Sequence, residues 1–164
     1  MASLRKARLD DVEQLVMLLR LLFTLEQDFN FDAGKQRQGL VMLLHSDQGC
    51  ILVAEAGGKV IGMCTGQVVI STAEGGPAVW VEDMVVDAAH RGRGVGRSLL
   101  QAMIAWAGEQ GATRLQLLAD KHNPQALAFY RHIGWQSTAL ICLRKLSPAG
   151  ADTRASIPQQ GSTP

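Results

Sequence analysis

The chain has 164 residues, 47% of them hydrophobic and 19% charged, with a net charge of +1. This is the size of one domain with an adequate core, and the balanced charge gives no overall drive toward nucleic acid or an acidic membrane. No apolar run approaches the roughly 20 residues that span a bilayer, residues 1–10 hold no apolar signal core, and three isolated cysteines without a C-x-x-C spacing suggest neither a disulfide framework nor a metal site. The expectation is a cytoplasmic protein with buried, reduced thiols.

Taken in order, residues 4–8 read as a short first strand. Asp10 or Asp11 then offers a helix N-cap, and Val12, Leu15, Val16, Leu19, Leu22 and Phe23 recur at helical spacing, so residues 11–24 form an amphipathic helix. Residues 25–34 break the pattern and carry Glu26, Asp28 and Asp32 beside Phe29 and Phe31; they are an ordinary loop or one wall of a substrate pocket. A second helix covers 35–44, with Leu40, Val41, Leu43 and Leu44 inward and His45 at its C-terminal end, which suits a cation.

Residues 50–56 and 60–70 are apolar, β-branched runs joined by Gly57-Gly58, a hairpin signal. Gly62 and Gly66 in the second run mark a bulge or a close backbone approach. After a loop at 71–77 comes a central strand at about 78–87. A third helix spans about 94–110, with Val95, Leu99, Met103 and Trp106 on one face and Gly111 as its stop. Residues 113–119 form a strand parallel to the central one, since a single helix connects the two. Asn123-Pro124 opens a fourth helix as N-cap and N1, which Gly134 closes after His132. Residues 135–146 read as a last strand region. The domain is therefore 1–146, and residues 147–164, polar and proline-containing, read as a flexible tail.

Chemistry concentrates at 79–100, VWVEDMVVDAAHRGRGVGRSLL, in the order strand, glycine-rich basic loop, helix. Three glycines in five residues let backbone N–H groups converge at a helix N-terminus, where the helix dipole favours an anion. Arg91, Arg93 and Arg97 add charge, so the natural guest is a phosphate or pyrophosphate. The pattern G-x-x-x-x-G-K-[ST] is absent. The dinucleotide fingerprint G-x-G-x-x-G fails because Arg97 stands where its third glycine belongs, and the loop comes late in the chain. What fits is [Arg/Gln]-x-x-Gly-x-[Gly/Ala], filled by Arg91, Gly94 and Gly96. A second constellation, HNPQALAFYRHIGW at 122–135, supplies Asn123, Ala126, Phe129, Tyr130, Gly134 and Trp135.

Together these two motifs resemble those of the GNAT superfamily of acetyl-CoA-dependent N-acetyltransferases, over roughly residues 4–146; Trp135 departs from the commoner Phe but keeps an aromatic. The resemblance implies an α+β fold: a mixed, mostly antiparallel sheet of about six to seven strands, about four flanking helices and a splayed parallel pair at the centre. It implies acetyl transfer from acetyl-CoA, as co-substrate and without a metal, to a primary amine of a small molecule. The backbone of Met84, Val85 and Val86 would pair with the pantetheine arm, and a backbone N–H near Met84 would meet the thioester oxygen. Gly92, Arg93, Gly94, Val95, Gly96, Arg91 and Arg97 would hold the pyrophosphate, and Asn123 would bond the arm as well as cap its helix.

An acceptor amine of pKa about 10.4 must lose protons, which calls for a carboxylate, and a leaving thiolate of pKa about 8.5 is served by a phenol. Glu82 and Asp83 are neighbours on a strand, so at most one is expected to face the cleft; Glu82 holds the position often used by the base in relatives, working through water. Tyr130, the single tyrosine, is the matching acid. His90, His122 and His132 border the motifs and are assigned surface or capping roles. The competing readings are a protein acetyltransferase acting on a lysine or N-terminus, and an acetyl-CoA sensor that transfers nothing. Homodimerisation is carried only as a family habit.

Overall fold

The computed structural model describes residues 2–26 and 28–147. The expected tail at 147–164 thus lies, from residue 148 on, outside the described residues. Nine main elements follow one another: β1 (Ser3–Lys6), α1 (Val12–Leu25), α2 (Ala33–Leu44), β2 (Gly49–Ala56), β3 (Lys59–Ser71), β4 (Gly76–Val86), α3 (Val95–Glu109), β5 (Leu115–Leu117) and α4 (Pro124–His132). The strands form one sheet in the order β1-β2-β3-β4-β5, antiparallel up to β4, with β4 and β5 parallel. This is the expected mixed sheet with four helices and a parallel pair, β4–β5, which lies at one edge of the sheet among the described residues.

The burial pattern explains the layering. One face of the sheet packs Leu52, Ile61, Cys64, Val79 and Val81 against Val95, Leu99, Met103 and Trp106 of α3, the stripe expected from helical spacing. The other face packs Ile51, Val53, Met63 and Val85 against Leu15, Val16 and Leu19 of α1 and Leu40 of α2. The sheet is therefore covered on both faces, which accounts for the near-continuous apolar runs of β2 and β3. Gly66 sits where α3 crosses closely: a β-carbon there would lie 2.6 Å from the Met103 sulfur. Gly57 and Gly58 turn the β2–β3 hairpin with φ of 58° and 74°, conformations that glycine adopts without strain.

Four expectations are corrected. The sheet has five strands among the described residues, not six to seven, because residues 135–147 make no ladder. Apolar composition marks strand propensity, but a strand needs a partner, and β5 extends only three residues. Leu140 and Leu143 are accordingly 87% and 86% exposed. Asp11 stands at the N-cap position without capping α1. Its carboxylate takes two bonds from Arg5, at 2.7 and 2.9 Å, and one from the Arg8 N–H, at 2.7 Å. Charge-assisted pairing to Arg5, which also binds Glu55, wins over the cap. The second helix begins earlier than expected because Asp32 caps it, accepting from Gly34 and Lys35. Cys50 and Cys64 are buried as expected, but Cys142 is exposed in the unpaired segment.

Candidate active site

The end of β4 and the start of α3 build an anion site from backbone alone. Asp87 accepts from the Ala89 N–H at 2.9 Å and opens a short turn at Ala88–His90. Gly92 and Gly94 then take φ of 71° and 81°. Gly94 is the N-cap of α3 and offers no side-chain cap. The N–H groups of residues 92–97 find no acceptor among the described residues. Six successive unsatisfied donors at the positive end of a 15-residue helix form an electropositive concavity. Arg91, Arg93 and Arg97 border it. Arg91 is partly engaged, since its Nε donates to the Val86 carbonyl at 3.0 Å.

Gly96 does a different job from its neighbours. A β-carbon there would stand 3.1 Å from Met84 Cε and 3.3 Å from Phe129 Cζ. Its absence lets α3, β4 and α4 meet at one point, next to Tyr130. Asn123 caps α4 by accepting from the Ala126 N–H at 3.0 Å, and Pro124 follows at the first helical position. On α4 the Tyr130 ring lies between Phe129 and Trp135, at centroid separations of 5.3 and 5.9 Å. Burial pushes its phenol well above the usual range, so it stays protonated at neutral pH. No hydrogen bond to its hydroxyl is made by the described residues.

The acidic pair on β4 departs from expectation. Cys64 faces Met84 across the ladder and Gly66 faces Val81, so Thr65 alone opposes both Glu82 and Asp83. This is a β-bulge on β4, and it resets the alternation of side chains. Before it, Val79 and Val81 point toward α3; after it, Met84 and Val86 do. Glu82 and Asp83 therefore both face the α1–α2 side, not opposite sides. They line one cavity of about 440 Å³ with Thr65, Gln67, Leu19, Phe23 and residues of α2.

The two carboxylates differ. Glu82 is exposed and accepts from the Trp80 indole at 2.9 Å. Asp83 is recessed. Burial pushes its pKa up to about 6, against the lowering effect of a hydrogen bond from Thr65, and the nearby Glu82 charge raises it further. Glu26, at the C-terminal end of α1, is raised by burial and then by Asp83, Asp120, Asp28 and Glu82, which puts it in the same acidic field. The loop that carries it is held by a Phe23–Phe29 stack at 5.5 Å and by Arg144, whose guanidinium lies 4.6 Å from the Phe29 ring centre.

Beside the bulge, β4 loses its parallel neighbour. β5 pairs with β4 only from Val79 to Val81, and β4 runs on to Val86. The edge of Met84, Val85 and Val86 that faces away from β3 thus has no strand partner among the described residues, although the Val86 carbonyl accepts from Arg91. This open edge leads from the anion site toward the bulge. Phosphate-bearing ligand, extended amide arm and reacting carbonyl match nest, open edge and bulge in that sequence, so the residues fit an acyl-CoA.

Sequence reasoning missed Thr65, a fully buried hydroxyl inside an apolar run; Gly62 and Gly66 around it were the available signal. It also gave no role to Lys35 and Gly39, which line the cavity. Among the described residues no group of three or more His, Cys, Asp or Glu is placed to hold a metal, and no helix is long and apolar enough to cross a membrane.

Comparison with known proteins agrees with this fold. The chain is 29% identical over 90 residues to N-acetyltransferase family 8 member 2 of Rattus norvegicus, covering 55% of this chain and 40% of that protein. It is 28% identical over 102 residues to the L-2,4-diaminobutyric acid acetyltransferase of Nocardia farcinica, covering 62% and 51%. The chain thus spans about half or less of the length of these curated relatives. A crystal structure described as a transcriptional regulator from Bacillus halodurans C-125 superposes with a TM-score of 0.79 over 89% of this chain and all of that one, at 23% identity, a likeness of fold. The acetyltransferase (GNAT) family matches residues 16–135, a span that includes the bulged strand, the glycine loop and α4 (Pro124–His132). On that match and this architecture, the chain belongs to the GNAT acetyltransferase family.

Proposed function

We propose that the chain transfers an acetyl group from acetyl-CoA, the donor of its family, to a primary amine of a small molecule. The pyrophosphate binds the N–H groups of residues 92–97 with Arg91, Arg93 and Arg97 around it. The pantetheine amides pair with the free edge of Met84, Val85 and Val86 as an added strand, and Asn123 bonds the same arm. The thioester carbonyl points to a backbone N–H near Met84, which steadies the developing oxyanion.

The neutral amine nitrogen attacks the carbonyl carbon from the cavity side. Its surplus proton passes through water to Glu82. The C–S bond breaks, and the thiolate takes the Tyr130 proton, giving amide and CoA-SH. The observation that carries this reading is the β4 bulge: one distortion turns two carboxylates into an acceptor cavity where the opposite edge of the strand opens for the donor.

A second assignment gives the base role to Asp83. Burial holds its pKa at about 6, near the value a base needs to act at neutral pH. The two are separated by pH–rate profiles of Glu82→Gln and Asp83→Asn. The variant that loses the acidic limb has lost the base.

The reading is tested by thiol release from acetyl-CoA against amines, amino acids, polyamines, amino sugars and peptides. Turnover with small amines supports it. Turnover with peptides alone would move the acceptor to proteins, and binding of acetyl-CoA without any turnover would favour a sensor. A cytoplasmic setting, rich in acetyl-CoA and reducing, suits the free thiols of Cys50 and Cys64.

A further inference from the structure

The cavity that holds Glu82 and Asp83 has a second charged end. Its other wall is α2, from which Lys35, Gln36, Gly39, Met42 and Leu43 line it, with Ser46 just beyond the helix. Lys35 is the one cation among these lining residues, and Glu82 and Asp83 are the anions. Neighbouring cations on this side of the sheet are engaged: Arg37 with Glu13 at 2.6 Å, Arg5 with Asp11 and Glu55 at 2.7 and 2.6 Å. Lys35 has no ion pair within 4.0 Å among the described residues. The nearest acid in sequence, Asp32, spends an oxygen on the Gly34 and Lys35 N–H groups. Gln36 is likewise turned away, accepting from the Asp32 N–H at 2.6 Å.

Gly39, one turn further along the same helix face, lines the same cavity. Glycine is disfavoured in a helix interior, and here no crowding requires it, because a β-carbon would meet nothing within 4 Å. Its effect is to leave the α2 wall of the cavity open beside Lys35.

Resting on the amine-acceptor reading above, we infer that the acceptor is an amino-carboxylate: its reacting amine sits at Glu82 and Asp83, its chain runs past Gly39, and its carboxylate pairs with Lys35. A diamine would bring a second cation against the Lys35 ammonium, and a simple alkylamine would leave it unused. The occupied groove neutralises both of its ends, which neither alternative does.

The test uses the full chain and matched acceptors that differ by a carboxylate: lysine against cadaverine, ornithine against putrescine. The wild-type protein should favour the carboxylate-bearing member at least tenfold in kcat/KM. Lys35→Ala should raise KM for that member by about the same factor, change kcat less than twofold and leave the diamine little affected. Lys35→Glu should reverse the preference. Gly39→Leu should raise KM for the amino acids while circular dichroism stays unchanged. Equal kcat/KM for both members in the wild type, or an equal loss for both in Lys35→Ala, would overturn the carboxylate assignment and leave the transferase reading intact. Release of no thiol with any amine would instead overturn the transferase reading, and this inference with it.

Discussion

Thr65 holds Asp83 at two points: its Oγ1 donates to the Asp83 carboxylate at 2.8 Å and accepts from the Asp83 backbone N–H at 2.9 Å. One hydroxyl thereby satisfies the extra residue of the bulge and orients the acid it exposes to the cavity. The donated bond favours the charged carboxylate, opposing the burial that disfavours it. Glu82 on its own strand raises the Asp83 pKa further, the Asp83 charge in turn raises those of Cys64 on β3 and Glu26 at the end of α1, and Lys35 lines the same cavity from α2.

Removing the bond should therefore raise the Asp83 pKa. In Thr65→Val the Asp83 pKa moves upward from about 6, by about one unit, Thr65→Ser restores it, and with Asp83 as the base the acidic limb of kcat/KM moves with it. Carbon-13 NMR of the Asp83 carboxyl reads the same shift without turnover. A resonance that stays in place in Thr65→Val would show that Thr65 does not set the charge of Asp83, and a resonance that moves while the limb stays would leave the base role to Glu82.

Asp83 should also cost stability where it is charged. Its folded pKa of about 6 lies above the ordinary 3.8. The protonated carboxyl therefore favours folding below pH 4, and that contribution is lost as pH rises toward 6 and beyond. Asp83→Asn removes the penalty and can still accept from Thr65. Urea unfolding at pH 7.5 should find it more stable than the parent by about 1–2 kcal/mol. At pH 4 the two proteins should be nearly equal. A variant less stable at pH 7.5 would mean that the buried carboxylate is compensated by its surroundings.

Much of this was legible beforehand, for physical reasons that differ by element. The α3 stripe of Val95, Leu99, Met103 and Trp106 reads directly because helical period and burial coincide. The glycine loop reads because a left-handed N-cap at Gly94 leaves few alternatives to glycine. The facing of Glu82 and Asp83 did not read, because strict alternation is the default on a strand and a bulge is fixed by the partner strand, here by Thr65. The expected last strand failed for the converse reason: Leu140, Ile141 and Leu143 have strand composition, but pairing depends on an edge that the sequence does not display. Lys35 drew no reading from the sequence; only the fold shows that it shares a cavity with the acids.

The arginines of the loop should act as screened charges around a backbone site. Arg91→Ala with Arg93→Ala should weaken acetyl-CoA binding by about tenfold at low salt, with a smaller difference at 1 M, where the Debye length falls to about 3 Å. Calorimetric titration at two ionic strengths measures this. Binding should persist in the variant, because the six N–H groups remain. Unchanged affinity at low salt would remove these arginines from the phosphate site.

Tyr130 should act late, on the leaving thiolate. Its ring is fixed by Phe129 and Trp135, so Tyr130→Phe keeps the packing and removes only the hydroxyl. Because burial raises the phenol's pKa, the group carries its proton across the working range and its loss is not mimicked by a modest change of pH. The variant should keep acetyl-CoA affinity within about twofold and lower kcat by more than about tenfold, the scale of general acid catalysis. The loss should be smaller with an acyl donor whose thiol is more acidic, since that thiolate leaves without help. An unchanged kcat, or an equal loss with both donors, would show that the hydroxyl does not protonate the leaving group.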